Sequence, residues 1–165
     1  MVNKELEQII RVNQAGEFGA VQIYRGQLAV LRRKDCASVI EHMLDQEYNH
    51  LKKFNELMVA RQVRPTVLTP IWRVAGYALG VASAALGEKA AMACTVAVEE
   101  VIDQHYAEQE RALDDKPLKK LITKCRKEEN EHKEIGLSYG VSEYPIMSGM
   151  IKAATRSAIW LSKRV

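Results

Sequence analysis

Apolar residues along the first 60 positions recur at intervals of three and four, which is the spacing of one helix face rather than of a strand. The first run contains no proline and predicts a helix over about residues 4–33. The second run starts at Asp35, a residue type that often begins helices, and predicts a helix to about residue 62. Because only a few residues connect the two helices, we expect them to pack as antiparallel neighbours.

Prolines mark most of the remaining boundaries. Pro65 ends the first hairpin, and Pro70 is expected to open a short helix to about Leu79, inside a crossover over about residues 63–82. Three more helices are expected over about residues 83 or 86 to 113, 118–139 and 145–163. The pattern predicts an all-α protein with a ferritin-like four-helix bundle, a crossover helix and an additional C-terminal helix, in a single domain over residues 1–165.

One set of four residues occurs twice, with a constant offset of 82 and intervals of seven, 23 and three. In each half, one helix supplies a glutamate and the next supplies a Glu-x-x-His pair, whose members lie one turn apart on one face. The two halves together offer four carboxylates and two imidazoles, the ligand set of a di-iron or di-manganese centre in a helix bundle. The repeated residues are Glu17, Tyr24, Glu47 and His50, then Glu99, Tyr106, Glu129 and His132. We predict that the metal ligands are Glu17, Glu47, His50, Glu99, Glu129 and His132.

The alternative interpretation is a set of charged residues on solvated helix faces, because 16 glutamates produce chance patterns. Two pairs preceded by glutamates at equal intervals favour the metal. Glu99 also follows a small, apolar run at residues 94–98, where an unpaired carboxylate would cost several kcal/mol. The oxygen-rich ligand set indicates oxygen activation, whereas zinc and calcium are disfavoured.

Other residues near the repeat have two interpretations each. Tyr24 and Tyr106 lie two turns after a predicted ligand, so they either line the site or pack in the core. His105 is a catalytic residue or an ordinary surface or core histidine. Glu128 and Asp45 could accept the outer N–H of a ligand imidazole, or could be exposed helix charges. Cys36, Cys94 and Cys125 lack a Cys-x-x-Cys spacing and read as small core residues.

Composition narrows the setting in which the protein works. Net charge is only +3, from 24 basic and 21 acidic residues, and without a basic stripe we expect no binding of nucleic acid. The three cysteines favour a reducing compartment, and the charged residues 1–11 do not resemble a signal peptide. No apolar run is long enough to span a membrane. Residues 146–165 mix apolar and basic side chains, which predicts an interfacial membrane helix or, alternatively, a helix packed on the bundle or a partner.

Several segments resemble the demethoxyubiquinone hydroxylase family, the di-iron monooxygenases of ubiquinone biosynthesis. These segments are residues 15–20, 45–50, 87–100 and 128–132, and the resemblance extends over nearly the whole chain. It implies hydroxylation of a demethoxyubiquinone-type ring with dioxygen, at a site with two iron ions and with NADH as the electron donor. It carries over the six ligands given above, and it implies that His105 and Tyr106 are the family's His-Tyr pair beside the site.

The resemblance also implies partners and a location. The expected partners are a quinone lipid, dioxygen, a membrane surface and other proteins of ubiquinone biosynthesis, and we expect a homo-oligomer. The expected location is peripheral, on the cytoplasmic face of a bacterial inner membrane or the matrix face of the mitochondrial inner membrane. A ferritin-like iron store or peroxide scavenger is the competing function, and a metal-free helical scaffold is a third. No Gly-x-Gly-x-x-Gly motif indicates where NADH would bind.

Overall fold

The computed structural model describes residues 4–165, which contain six α-helices, one 3₁₀ turn at Val141–Glu143 and no strand. The helices are α1 (Lys4–Leu31), α2 (Ala37–Arg61), α3 (Thr69–Ala85), α4 (Glu88–Ala112), α5 (Lys116–Leu137) and α6 (Pro145–Ser162). The all-α prediction is confirmed. The described residues form two compact units: unit 1 runs to Gly87 and includes Ser157–Val165, and unit 2 is Glu88–Arg156. The single domain stays a prediction.

Two helix starts differ from the predictions. Asp35 does not begin α2, because residues 32–36 form a turn in which the Lys34 N–H donates to the Leu31 carbonyl at 2.8 Å. α5 begins before residue 118, because Asp115 Oδ1 accepts a hydrogen bond from the Leu118 N–H at 2.9 Å and caps the helix. Pro117 fits in this first turn, where a missing N–H costs nothing.

The crossover helix is longer than predicted and moves the start of α4. Residues after Leu79 stay helical to Ala85, so Ser83 belongs to α3 and cannot begin α4. The break falls at Gly87, whose φ of +110° is accessible to glycine and strained for other residues. Small residues without a proline therefore extended the helix to the first residue with a positive φ.

In unit 1, α1 and α2 run antiparallel, as predicted. Gln14 Nε2 donates to Asn55 Oδ1 at 3.1 Å, and Arg11 Nε donates to the Arg64 carbonyl at 2.9 Å. Partners early in α1 therefore lie late in α2 or just beyond it. The fully buried apolar side chains of these two helices include Ile10, Ile40 and Phe54.

In the same unit, α3 packs closely against α1, and glycines lie at the points of contact. Gly76 lies against Gly19 and Gly80 lies against Ile23, so the two helices run parallel. A Cβ at Gly80 would overlap the Ile23 carbonyl oxygen, and a Cβ at Gly26 would overlap the Tyr77 carbonyl oxygen. Only glycine allows the two backbones to approach this closely.

We expect Gly80→Ala to lower the free energy of unfolding by about 2 kcal/mol or more, because the methyl group meets backbone that cannot move aside cheaply. Urea unfolding followed by circular dichroism measures the loss. Gly19→Ala is the control on the facing helix, because its Cβ would meet nothing within 4 Å. That substitution should raise stability by up to about 1 kcal/mol. Equal effects of the two substitutions would contradict this packing.

In unit 2, α4 and α5 also form an antiparallel pair, joined by only three residues. A Cβ at Gly136 of α5 would lie 2.6 Å from Val96 Cγ2 and 3.2 Å from the Met92 carbonyl oxygen of α4. α4 is buried from Ala90 to Glu99 without interruption. The helix that carries Glu99 is therefore the most enclosed stretch of the described chain.

Two polar side-chain contacts join α6 to α4. In unit 2, Lys152 forms an ion pair with Glu100, and Arg156 Nη2 donates to Gln104 Oε1 at 3.4 Å. Ile151 is buried, so this apolar residue of the predicted interfacial helix does not face a membrane. None of the helices in residues 4–165 combines the length and the hydropathy that a membrane-spanning segment needs.

Candidate metal centre

The first half of the repeat forms a buried triad in unit 1. α1 contributes Glu17, and α2 contributes Glu47 and His50 from adjacent turns of one face. His50 Nδ1 lies 3.2 Å from Glu17 Oε2 and 3.9 Å from Glu47 Oε2. All three side chains are 3% exposed or less.

The second half forms the corresponding triad in unit 2. α4 contributes Glu99, and α5 contributes Glu129 and His132. His132 Nδ1 lies 3.3 Å from Glu129 Oε2 and 3.9 Å from Glu99 Oε1. These side chains are at most 2% exposed. The repeat therefore folds twice into the same local arrangement, and each helix pair brings its three predicted ligands together.

Both triads fit a transition-metal cation. In each, the nearest carboxylate oxygens and imidazole nitrogen lie within 4.8 Å of one another. Ligand atoms bound at about 2.1 Å to one ion stand about 3 Å apart, close to the shortest distances of 3.2 and 3.3 Å found here. Buried carboxylates at this spacing repel each other unless a cation or a proton neutralises them. The donor set, with oxygen outnumbering nitrogen, suits iron or manganese.

The pKa of Glu99 shows that the protein interior disfavours its ionised carboxylate when no metal is bound. Burial, followed by the charge of Glu129, raises the pKa of Glu99 from 4.5 to about 8, although His132 opposes the shift. In the folded protein without metal, Glu99 therefore holds a proton at neutral pH. A cation must displace that proton, so metal binding releases it.

We expect the stability of the metal-free protein to fall as pH rises from about 5 towards 8, because folded Glu99 holds a proton that unfolded Glu99 has lost. Glu99→Gln cannot ionise, so its stability relative to wild type should improve across this pH window. Urea unfolding of both proteins after chelator treatment measures the difference. Glu131→Gln on the exposed side of α5 is the control and should show no such trend. A pH-independent difference for Glu99→Gln would contradict the assignment.

The tyrosines of the repeat, Tyr24 and Tyr106, are both buried. His105 is buried as well, so the surface interpretation of this residue is wrong. Gln109 Nε2 lies 2.7 Å from His105 Nε2 and donates to it, while the His105 and Tyr106 rings stack at a centroid distance of 6.5 Å. A catalytic role for this pair stays a prediction.

Two buried glutamines also follow the repeat, although the repeated set predicted from the sequence did not include them. Gln27 and Gln109 are separated by 82 residues, the offset of the repeat, and each lies three residues after its tyrosine. The offset alone could have identified them. Asp45 is exposed, which fits its interpretation as a surface charge, whereas Glu128 is half-buried and lies 3.6 Å from Lys124. The three cysteines are buried, as expected for core residues.

Paired helices that carry buried carboxylate–histidine triads define a class of all-α proteins with candidate metal sites. A family model described as ubiquinone biosynthesis protein COQ7 matches residues 4–162. The chain belongs to the COQ7 family.

Curated relatives agree with this assignment. The chain is 52% identical to 3-demethoxyubiquinol 3-hydroxylase of Rhodospirillum rubrum, over 97% of this chain and 78% of that protein. It is 51% identical to the human NADPH-dependent 3-demethoxyubiquinone 3-hydroxylase, mitochondrial, with the same coverage of both chains. It is 38% identical to the 5-demethoxyubiquinone hydroxylase, mitochondrial, of Saccharomyces cerevisiae, again over 97% and 78%. The resemblance seen in the sequence is confirmed.

Proposed function

We propose that this chain hydroxylates the ring of a demethoxyubiquinone-type lipid with dioxygen in ubiquinone biosynthesis, and that its two buried triads hold a pair of iron ions. The observation that carries the proposal is the double triad, with closest carboxylate–imidazole distances of 3.2 and 3.3 Å. The sequence of the chain is 52% identical to a protein named 3-demethoxyubiquinol 3-hydroxylase and 51% identical to one named NADPH-dependent 3-demethoxyubiquinone 3-hydroxylase.

Charge balance supports two ions rather than one. The four buried carboxylates carry four negative charges when ionised, and two divalent cations cancel them. One divalent ion would leave two uncompensated charges in the interior, which is costly. When bound, reduced iron supplies the electrons and the open coordination positions that activate dioxygen.

We further propose that the two triads act together as one ligand set for both ions. Three ligands from one helix pair are fewer than a di-iron site needs, whereas six from two pairs match the set of ferritin-like proteins. In that set, Glu47, His50, Glu129 and His132 would hold the ions together with Glu17 and Glu99. The carboxylates fix the ions, and the surrounding apolar residues exclude water.

His105 and Tyr106 are proposed as the pair that moves a proton beside the site. Gln109 Nε2 lies 2.7 Å from His105 Nε2, and the His105 ring stacks on Tyr106. These two contacts hold the imidazole in one orientation, as proton transfer requires.

A reduced nicotinamide is the proposed source of electrons. The resemblance implied NADH, but relatives including the human, bovine and Dictyostelium proteins are named NADPH-dependent. We therefore propose NADPH as the physiological donor, and turnover with each nucleotide at equal concentration tests the choice. The names of these relatives also place them in mitochondria, whereas the Rhodospirillum name gives no compartment. The choice between a bacterial and a mitochondrial membrane, the homo-oligomer and partner proteins stay predictions.

A peripheral membrane surface is proposed on unit 1. Trp72 Nε1 of α3 donates to Ser162 Oγ at 3.0 Å, which joins the start of α3 to the end of α6. Exposed apolar side chains surround this junction: Ile71, Val74, Trp160 and Leu161. The Arg164 guanidinium lies 3.7 Å from the Trp160 ring centroid, so a cation accompanies the apolar group. Apolar and basic groups together suit a membrane interface that contains anionic lipid.

We expect Val74→Ser combined with Trp160→Ser to weaken binding to anionic vesicles at least several-fold, because two apolar groups leave the lipid boundary. Co-sedimentation with vesicles of phosphatidylcholine and phosphatidylglycerol measures this. Val59→Ser on α2 is the matched control, because Val59 is 81% exposed but lies on another helix of unit 1. Equal binding of all three proteins would remove this surface from the proposal.

The reaction is tested with isotopically labelled dioxygen. With NADPH and a short-tailed demethoxyquinone, the quinone product should carry one labelled oxygen atom. Glu129→Ala should lower iron occupancy and abolish this incorporation while the helices remain, and Glu131→Gln on the same helix should behave as wild type. A ferritin-like store or scavenger would consume dioxygen without labelling the quinone. That result, with substrate bound, would overturn the hydroxylase in favour of this alternative.

A further inference from the structure

A polar network joins α4 to α5 within unit 2. Arg126 Nε donates to Asp103 Oδ1 at 2.7 Å, and its Nη1 donates to Glu110 Oε2 at 2.7 Å. Asn130 Nδ2 also donates to Asp103 Oδ1, at 3.0 Å, and Lys133 Nζ donates to Asn130 Oδ1 at 2.7 Å. One arginine therefore binds two carboxylates of the facing helix, in a half-buried position.

The corresponding positions in the first half of the repeat carry no charged residues. Subtracting the offset of 82 from its five members gives the apolar and aromatic residues Val21, Leu28, Leu44, Tyr48 and Leu51. Val21 and Leu44, the counterparts of Asp103 and Arg126, are buried. Buried apolar side chains thus occupy the positions of α1 and α2 that correspond to Asp103 and Arg126. A buried ion pair seldom stabilises a fold more than apolar packing does. The need to pair α4 with α5 therefore does not by itself explain why these positions are charged.

The network lies one turn from the second triad on both helices. Asp103 is four residues after Glu99 on α4, and Arg126 is three residues before Glu129 on α5. A bond between Asp103 and Arg126 therefore fixes how far α5 can slide or rotate relative to α4. Those two movements set the distances between Glu99 and the Glu129–His132 pair.

The two triads differ in the distances between their histidine and their glutamates. In unit 1, His50 lies closer to the glutamate of the partner helix, Glu17, than to Glu47. In unit 2 the order is reversed, because His132 lies closer to Glu129 of its own helix than to Glu99. The helix pair with the polar network thus holds its interhelical glutamate 0.7 Å farther from the histidine, 3.9 against 3.2 Å.

We propose that Arg126 is a positioning residue that, through Asp103 and Glu110, sets the register of α4 and α5 and makes the second half-site geometrically different from the first. The inference rests on the proposed metal centre. Burial raises the pKa of Asp103, but hydrogen bonds from Arg126 and Asn130 outweigh it and hold the pKa below its usual value. The pKa of Glu110 is lowered by Thr123 and Arg126 against the same effect of burial. The network therefore stays ionised at neutral pH.

The test is a titration of the metal-free protein with Co²⁺, followed by visible absorption. Wild type should bind two Co²⁺ per chain. Arg126→Gln should weaken one of the two by about tenfold or more and change its absorption, as loss of groups that orient ligands does. Lys127→Gln is the matched control on the next residue, because its pair with Glu131 is exposed. It should leave affinity and spectrum unchanged.

A second variant separates positioning from stability. The triple substitution Asp103→Val, Glu110→Leu and Arg126→Leu copies Val21, Leu28 and Leu44 of the first half. Apolar replacement should keep the unfolding midpoint near that of wild type. Its Co²⁺ spectrum should still differ from wild type, because α4 and α5 are no longer pinned by directional bonds.

If the triple variant keeps the Co²⁺ affinity and spectrum of wild type, the network only packs the helices, whether or not Arg126→Gln binds normally. That result would overturn the inference while leaving the metal centre intact. Failure of the wild-type protein itself to bind two Co²⁺ is a different result. It would remove the proposed centre, and this inference with it.

Discussion

The burial of four carboxylates in helical, water-excluded surroundings is the constraint on which this structure depends. Each triad brings two glutamates and a histidine to within 4.8 Å, with side chains at most 3% exposed. Burial and the neighbouring charge of Glu129 raise the pKa of Glu99 to about 8, which shows that the interior disfavours the ionised form of this carboxyl. A bound cation would remove the same cost by neutralising the carboxylates, which supports the proposed metal site.

The two units meet this constraint with different packing. In unit 1, the glycines of α1 and α3 bring two backbones together and leave apolar side chains of α3 exposed on the opposite side. In unit 2, α4 is enclosed over its first three turns, and Arg126 links it to α5 through ion pairs. The two halves of the repeat thus share their predicted ligands but differ in the residues that surround them.

The ligand triads could be predicted from the sequence because a helix fixes which residues share a face, and because the 82-residue offset repeated every interval. The boundary between α3 and α4 could not, since residues 79–86 are small or apolar and only the positive φ of Gly87 marks the break. The burial of Ile151 could not be predicted, because the mixture of apolar and basic residues over 146–165 suits a membrane interface as well as packing on the protein. Arg126, Asp103 and Glu110 look like solvated helix charges until the distances between them are known.

The most direct test of the central claim is whether the two triads bind iron as a coupled pair. The protein is loaded anaerobically with two equivalents of ferrous iron, oxidised with dioxygen, and examined by Mössbauer and electron paramagnetic resonance spectroscopy. Two ferric ions that share bridging ligands couple antiferromagnetically, so the account predicts two irons per chain in the Mössbauer spectrum with almost no resonance signal. Intense signals from isolated high-spin ferric ions, or a single iron per chain, would contradict a shared centre built from both triads.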